Sequence, residues 1–382
     1  MNRNNLSLSL LLVGITLGIL VFAGCAVTVQ PVAEAQPSAY PPPGRPAQAD
    51  FSLFYNELAP YGDWFQLEGY GWVWSPDDVP VGWRPYTRGV WVYTDYGSTW
   101  VSDYEWGWAP FHYGRWLFDS QYGWVWVPGR EWAPAWVVWR YGASRIGWAP
   151  LPPGVDWRVG NLDVLISPQG WSFVNERYFF APNLRPHLAP RARNAALIRA
   201  TRSVTNYTVV QNRIVDRSLN VDQIERAIGR SIPHYRIVDR DRAPAIHDRI
   251  KGNEVYMFRH HIAEPPAGRA SRPEPPKMAP GERRAVGTAP QKPLSVPELI
   301  KRQESERQQL NADYESQRAN LAEQHREELQ HPPKGTSPQK LRKEHEAERQ
   351  ALEDQMQQDR KLLQQRHERE QKGEVRRKEK GD

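Results

Sequence analysis

All 17 tryptophans of this 382-residue chain fall between Trp64 and Trp171, and they recur with a beat of about 25 residues. Pro60, Pro85, Pro110 and Pro134 are spaced 25, 25 and 24 apart, and Trp74, Trp100 and Trp126 follow at intervals of 26. A self-similar period of this size signals a small supersecondary unit copied several times, each copy burying its face against the next. Four approximate copies can be laid out, around Trp64 to Trp74, Trp91 to Trp100, Trp116 to Trp126 and Trp132 to Trp148. Trp72-Val73-Trp74 and Trp124-Val125-Trp126 alternate with period two, the pattern of a strand, and aromatic and β-branched residues favour strands. Asp95-Tyr96-Gly97 and Asp119-Ser120-Gln121-Tyr122-Gly123 read as turns. Each copy is therefore expected to be a β-hairpin, with proline at its margins where central strand pairing is not needed. A lone hairpin is marginal in water, so the copies must share a core.

The segments around this block differ in character. Residues 1–24 combine Arg3 with an apolar run from Leu6 to Phe22, as in an export signal. The run ends in Phe22-Ala23-Gly24-Cys25, which resembles the lipidation box of bacterial lipoproteins, although Phe22 stands where leucine is usual. That resemblance makes Cys25 the lipidated first residue of a mature chain. Ala26 stands where an aspartate commonly retains Gram-negative lipoproteins at the inner membrane, so the resemblance implies an outer-membrane lipoprotein facing the periplasm. Cys25 is the only cysteine, so no disulfide can staple the fold. Residues 25–50, with Tyr40-Pro41-Pro42-Pro43, read as a Pro-rich tether.

After the Trp-rich block, residues 51–157, comes a small basic α+β segment over 158–260. Its strand candidates are Gly170–Val174, Tyr207–Val210, Tyr235–Val238 and Glu254–Phe258. Asn220 to Gly229 reads as a short helix capped by Asn220 and ended by Gly229. Residues 261–296 are a linker rich in proline and arginine. Residues 297–372 are rich in Glu, Gln, Arg and Leu and favour a helical hairpin or coiled coil folded at Pro332-Pro333, with Ser337-Pro338 opening the second helix. Its stripe of Leu341, Leu352, Met356 and Leu363 is thin, as in a weak coiled coil or a solvated helix. Residues 373–382 form a charged tail. The expected fold is thus a mainly β hairpin-repeat domain, a small α+β segment and a long helical tail.

Pro60-Tyr61-Gly62, Glu105-Trp106-Gly107-Trp108-Ala109-Pro110, His112-Tyr113-Gly114-Arg115-Trp116, Gly123-Trp124-Val125-Trp126-Val127-Pro128-Gly129 and Gly147-Trp148-Ala149-Pro150-Leu151 resemble an uncharacterised bacterial family. Its repeated elements are Tyr-x-Trp-Gly-x-Trp and Trp-Ala-Pro, and it is domain-of-unknown-function 6600-like. The resemblance spans roughly residues 51 to 240. It implies an exported or membrane-tethered protein and carries no known activity, cofactor or substrate.

The chemistry of the side chains leaves several readings open. The indoles can be the core of a domain short of Leu and Ile, or some can form a platform for peptidoglycan or another polysaccharide. On the second reading the candidate ligand-binding residues are Trp72, Trp74, Trp106, Trp108, Trp116, Trp124 and Trp126. Between Arg185 and Arg217 lie seven arginines and one acid, Asp216. Arg185, Arg191, Arg193, Arg199 and Arg202 are the candidate contacts for an anionic partner such as lipopolysaccharide phosphate or an acidic glycan, in keeping with a net charge of +6. Export argues against nucleic acid. The C-terminal helices are a candidate for self-association. A glycan hydrolase would use carboxylates such as Asp63, Asp103, Glu105 or Glu131, with His112 nearby in sequence, but nothing in their spacing requires it and charged turn residues are the commoner explanation. No nucleophile elbow, phosphate-binding glycine loop or metal-ligand cluster stands out, and His260-His261 is weak as a metal site. The leading expectation is a non-catalytic envelope binding or scaffolding protein without cofactor, and the alternatives are a glycan-binding module and a hydrolase.

Overall fold

The computed structural model describes residues 51–158, 166–240, 249–262, 296–332 and 336–379. The leader, Cys25, the tether and most of the 261–296 linker lie outside the described residues. Among those described, no helix is long and apolar enough to cross a membrane.

A short helix, α1 (Phe51–Leu58), precedes four consecutive hairpins: β1 (Gly62–Leu67) with β2 (Gly71–Pro76), β3 (Gly89–Thr94) with β4 (Gly97–Ser102), β5 (Arg115–Asp119) with β6 (Gly123–Val127), and β7 (Val137–Gly142) with β8 (Arg145–Pro150). The four copies of the sequence period are these four hairpins. In each, one tryptophan sits directly opposite another: Trp64 and Trp74, Trp91 and Trp100, Trp116 and Trp126, Trp139 and Trp148. Directly opposed antiparallel residues share a face, so each hairpin delivers two rings to one side. All eight indoles are buried, none more than 5% exposed.

The copies do not stack in chain order. The first and third join edge to edge through Trp74 and Trp126, giving a sheet ordered β1-β2-β6-β5. The other two hairpins seed separate sheets with strands from the second half of the chain. Beside β7 and β8 lie β9 (Ser172–Asn175) and β10 (Arg202–Ser203). Beside β3 runs β13 (His234–Asp239) in parallel, then β15 (Glu254–Met257) and β14 (Arg249–Lys251). A small hairpin, β11 (Tyr207–Val210) with β12 (Arg213–Asp216), forms a sheet of its own. The described residues of 158–260 are therefore woven into the Trp-rich domain, and the boundary at 157 separates no cores among them. Ile224, Ile232, Phe258 and Ile262 share the main core with the indoles. The two helices between these strands are α2 (Asn194–Ala200) and α3 (Val221–Ile228); Asn220 caps α3 through the Gln223 N–H, and Gly229 ends it in the left-handed region.

Tyr86 ties the copies together. Its ring packs on Trp91, Trp100 and Phe111, its hydroxyl donates to the Phe111 carbonyl at 3.0 Å and accepts the Trp136 N–H at 3.1 Å, and its carbonyl accepts the Trp148 indole N–H at 3.0 Å. Gly97 is required where the β3–β4 turn meets β12. Its φ is +87°, and a Cβ there would lie 1.9 Å from the Asp216 carbonyl oxygen. Asp216 itself is buried, accepting from the Trp139 indole at 2.8 Å and the Ser218 N–H at 2.9 Å, and burial pushes its carboxyl up to about 6.

Two long helices complete the chain: α4 (Val296–Gln330), and α5 (Pro338–Glu379), which runs past the expected end near Lys372. Ser337 accepts the Lys340 N–H at 3.3 Å, as a cap should. Leu310 and Tyr314 of α4 pack with Leu352, Met356 and Leu363 of α5, and the thin stripe is buried within the chain.

Two outcomes follow. Truncating Trp126 to alanine should cost about 3–5 kcal/mol in chemical unfolding, against less than about 0.5 kcal/mol for the 61%-exposed Phe118. Asp216 carries a folded-state pKa above its unfolded one, so its contribution favours folding in acid and is lost as pH rises from about 4 to about 6. Asp216→Asn should therefore gain stability relative to the parent over that window, by up to about 3 kcal/mol, and a pH-independent difference between the two proteins would count against the assignment.

Candidate functional site: an arginine seam beneath the helical pair

The arginines that stand out in the sequence are drawn to one face by an irregular stretch of backbone. Residues 176–193 form three isolated helical turns, Glu176–Tyr178, Arg185–His187 and Arg191–Arg193, the first capped by Asn175 and the second opened by proline. These turns aim Arg177, Arg185, Arg191 and Arg193 at the helical pair, and Arg145 joins them from the start of β8.

The helices answer with acids on matching faces. Asp313 and Glu327 are 14 residues apart on α4, and Glu348 and Asp359 are 11 apart on α5, each close to a whole number of turns. Arg185 meets Asp313 at 2.7 Å, Arg177 pairs with Glu327, and Arg191 pairs with Asp359. Arg145 lies 3.5 Å from Glu328 and 3.8 Å from Glu348, which Arg193 also approaches at 3.9 Å. The Arg191 backbone N–H donates to the Gln355 side chain at 2.7 Å, and the Tyr178 hydroxyl donates to Glu327 at 3.2 Å.

Inside the helical pair, two histidines stack with ring centroids 3.9 Å apart, His325 on Glu348 at 2.9 Å and His345 on Glu328 at 2.8 Å. The same carboxylates thus serve the helix–helix contact and the helix–body contact. Burial alone would raise the Glu348 carboxyl, but the His325 hydrogen bond and the Arg145 charge outweigh it and hold the group below its ordinary value. A second buried set joins His367 and Arg366 to Glu306, at 2.7 and 2.6 Å. Near the middle of the seam lies Arg84, fully enclosed; burial and the neighbouring Arg191 lower its guanidinium to about 9.

The two groups of sequence candidates fare differently. Trp74, Trp106, Trp108, Trp116 and Trp126 are core residues, each 5% exposed or less, which corrects their reading as a ligand platform. Their rings are the apolar material that closes the sheets. Trp72 and Trp124 remain half-buried, and exposed Phe118 lies 5.4 Å from Trp124 in an edge-on contact. Among the arginines, Arg185, Arg191 and Arg193 find their anionic partners inside the chain, a correction to their reading as a surface for an external one, while Arg199 and Arg202 stay exposed. Glu105 is exposed and accepts the Tyr61 hydroxyl at 2.8 Å, Glu131 and Asp103 are exposed, and Asp63 is half-buried. His112 is buried, hydrogen-bonded to the Ala133 carbonyl at 2.9 Å and stacked on Trp132. The His260 ring meets the Arg240 carbonyl at 2.9 Å, and its own carbonyl accepts the Tyr113 hydroxyl at 2.8 Å. No cluster of three metal-ligating side chains occurs among the described residues. Arg84, Arg145, Arg177 and the helical acids escape a reading of the arginine run alone; the 14- and 11-residue acidic spacings were the available signal.

Residues 55–155 match the model of a family described as a family of unknown function, DUF6600, so this Trp-rich part of the chain is DUF6600-like. No curated protein and no solved structure matches the chain.

The seam makes a stability prediction. Removing one partner of a mostly buried ion pair strands the other, so Arg191→Ala should loosen α5 by about 2–3 kcal/mol, somewhat below the range of fully buried pairs. Gly82→Ala should act in the same direction, because Gly82 has φ +73° and a Cβ there would meet the Arg191 guanidinium at 2.3 Å and the Asp359 carboxylate at 2.9 Å. Hydrogen exchange along α5 reads both effects. The exchanged pair Arg191→Asp with Asp359→Arg should recover part of the protection, and exposed Arg202→Ala should leave it alone.

Proposed function

We propose that this chain is a lipid-anchored, non-catalytic scaffold of the cell envelope, tethered to the outer membrane through Cys25 and facing the periplasm. The observation that carries this reading is the clamp. Two helices of 35 and 42 residues are held on an aromatic body by five arginines. At 1.5 Å per residue they extend about 50 and 60 Å, long enough for a coiled-coil-like spacer or a surface that presents charged residues to a protein neighbour. The body's rings and much of its basic face are consumed internally, which favours a mechanical or presenting role. The export signal and lipid anchor rest on the resemblance of residues 1–25 to lipoprotein leaders.

A second reading, binding of peptidoglycan or an anionic envelope glycan, is favoured by one feature: Phe118, 61% exposed, against half-buried Trp124. Such an edge-on aromatic pair offers a small stacking surface.

Two measurements separate these ideas. Cys25→Ser should shift the protein from the membrane to the soluble periplasmic fraction; unchanged membrane retention would sink the lipid anchor. The chain from residue 26 onward should stay in the supernatant when spun with purified peptidoglycan. Pelleting that disappears in Phe118→Ala would replace the scaffold reading with the glycan-binding one.

A further inference from the structure

Arg84 is placed as few arginines are. It is 7% exposed, on the loop that leads into β3, with its backbone carbonyl held by the Thr87 hydroxyl at 2.6 Å. Its Nε donates to the Ser172 hydroxyl at 3.1 Å. A guanidinium carries five N–H donors, and among the described residues only this one has a partner. No carboxylate among the described residues lies within ion-pairing distance. The nearest acid acting on it, Asp359, is already committed: one oxygen pairs with Arg191, and the other accepts the Tyr314 hydroxyl at 2.7 Å. Arg191 beside it adds a like charge. Arginine does not shed its proton at physiological pH, so this is a buried positive charge without a counter-charge, an arrangement that costs several kcal/mol unless an anion compensates it.

The guanidinium borders a cavity between body and helices. The body wall is formed by residues 80–84 with Thr87, Arg88 and Arg185, and the helical wall by Leu310, Tyr314, Gln317, Gln355 and Asp359. Gln317 makes no hydrogen bond among the described residues, so its amide is a further free donor. The donors thus approach from both walls, which suits a tetrahedral oxyanion better than a planar carboxylate with only two oxygens.

We propose that this cavity is a phosphate-binding site, with Arg84 as its principal charged contact and Gln317 as the donor from the opposite helix, and that the bound group holds the helical pair onto the body. The phosphate is either free or carried by an envelope sugar. The inference is independent of the scaffold reading, since it rests on the charge and donors of the cavity. Ligand that bridges two walls stabilises their docking by mass action, in proportion to the logarithm of its concentration above the dissociation constant.

The test is thermal unfolding of the full chain in detergent, in inorganic phosphate, in glucose 1-phosphate and in chloride at equal ionic strength, because salt by itself screens the seam. Phosphate should raise the unfolding midpoint with the logarithm of its concentration above the dissociation constant, and slow hydrogen exchange in both α4 and the loop around Arg84. A sugar phosphate acting at equal or lower concentration identifies a site open to an envelope sugar, and a response to phosphate alone identifies a closed site for the free ion. Arg84→Met should weaken the phosphate response at least tenfold, while Arg202→Gln should keep it. If Arg84→Met does not fold, Gln317→Glu decides: a carboxylate supplied in the cavity should raise the midpoint in chloride and abolish the phosphate response. Equal midpoints in phosphate and chloride for the unmodified protein overturn the proposal, as does a full phosphate response in Gln317→Glu.

Discussion

Everything in the body depends on pairs of tryptophans placed directly across from one another in short hairpins. One hairpin turns two residues into a double indole surface of several hundred square ångströms, far more than Leu or Val would supply from so short a strand. The rings also set conditions, because a buried N–H left unbonded carries a cost, which Trp64, Trp91, Trp100 and Trp116 bear and several other rings avoid. Trp74 donates to the Leu58 carbonyl, Trp126 to Tyr113, Trp136 to His112, Trp148 to Tyr86 and Trp139 to the Asp216 carboxylate. Those bonds dictate where α1, the loops between hairpins and β12 must lie. Packing and hydrogen bonding therefore act through the same side chains. A fold without disulfides, containing few buried Leu or Ile, is held in one arrangement by them.

The helical pair poses the opposite problem. Its own apolar stripe is too thin to hold two long helices together, and its stabilising contacts are carboxylates shared between histidines of the pair and arginines of the body. Such shared ion pairs gain from low dielectric only while the surrounding surfaces keep water out. The seam is thus weaker than the aromatic core, sensitive to salt, and the place where the molecule opens first. A compensating anion at Arg84 would act on that weakest junction.

Local features were readable because they depend on neighbours in sequence. The hairpins follow from Trp-x-Trp alternation and Asp–Gly turns, α3 from Asn220 and Gly229, and the start of α5 from Ser337-Pro338. Even α1 carries a local signal, apolar residues at 51, 54, 55 and 58, the spacing of one helical face, all buried in the structure. The arginine run was recognised as a binding element; its partner was not, because Asp313 and Asp359 lie more than 120 residues away and nothing local marks them as its complement. Which of the two open readings of the indoles, core or platform, holds at each ring was decided by packing. Burial is a property of what covers a ring: of the two copies of Gly-Trp-Val-Trp, the second rings, Trp74 and Trp126, are enclosed, while the first, Trp72 and Trp124, on the other face of each strand, are half open.

By itself the sequence determined that this chain repeats an aromatic hairpin four times, cannot use disulfides, and ends in two charged helices. Periodicity, turn chemistry and composition suffice for that, since each acts over a few residues. Only the tertiary structure decided that the first and third hairpins pair, that β13 lies parallel to β3, and that the basic segment closes on the chain's own acids. Those choices are made by complementarity between surfaces distant along the chain: the indole N–H groups of Trp74, Trp126, Trp136 and Trp148 reach particular carbonyls, and Arg185, Arg191 and Arg193 meet acids of the helical pair.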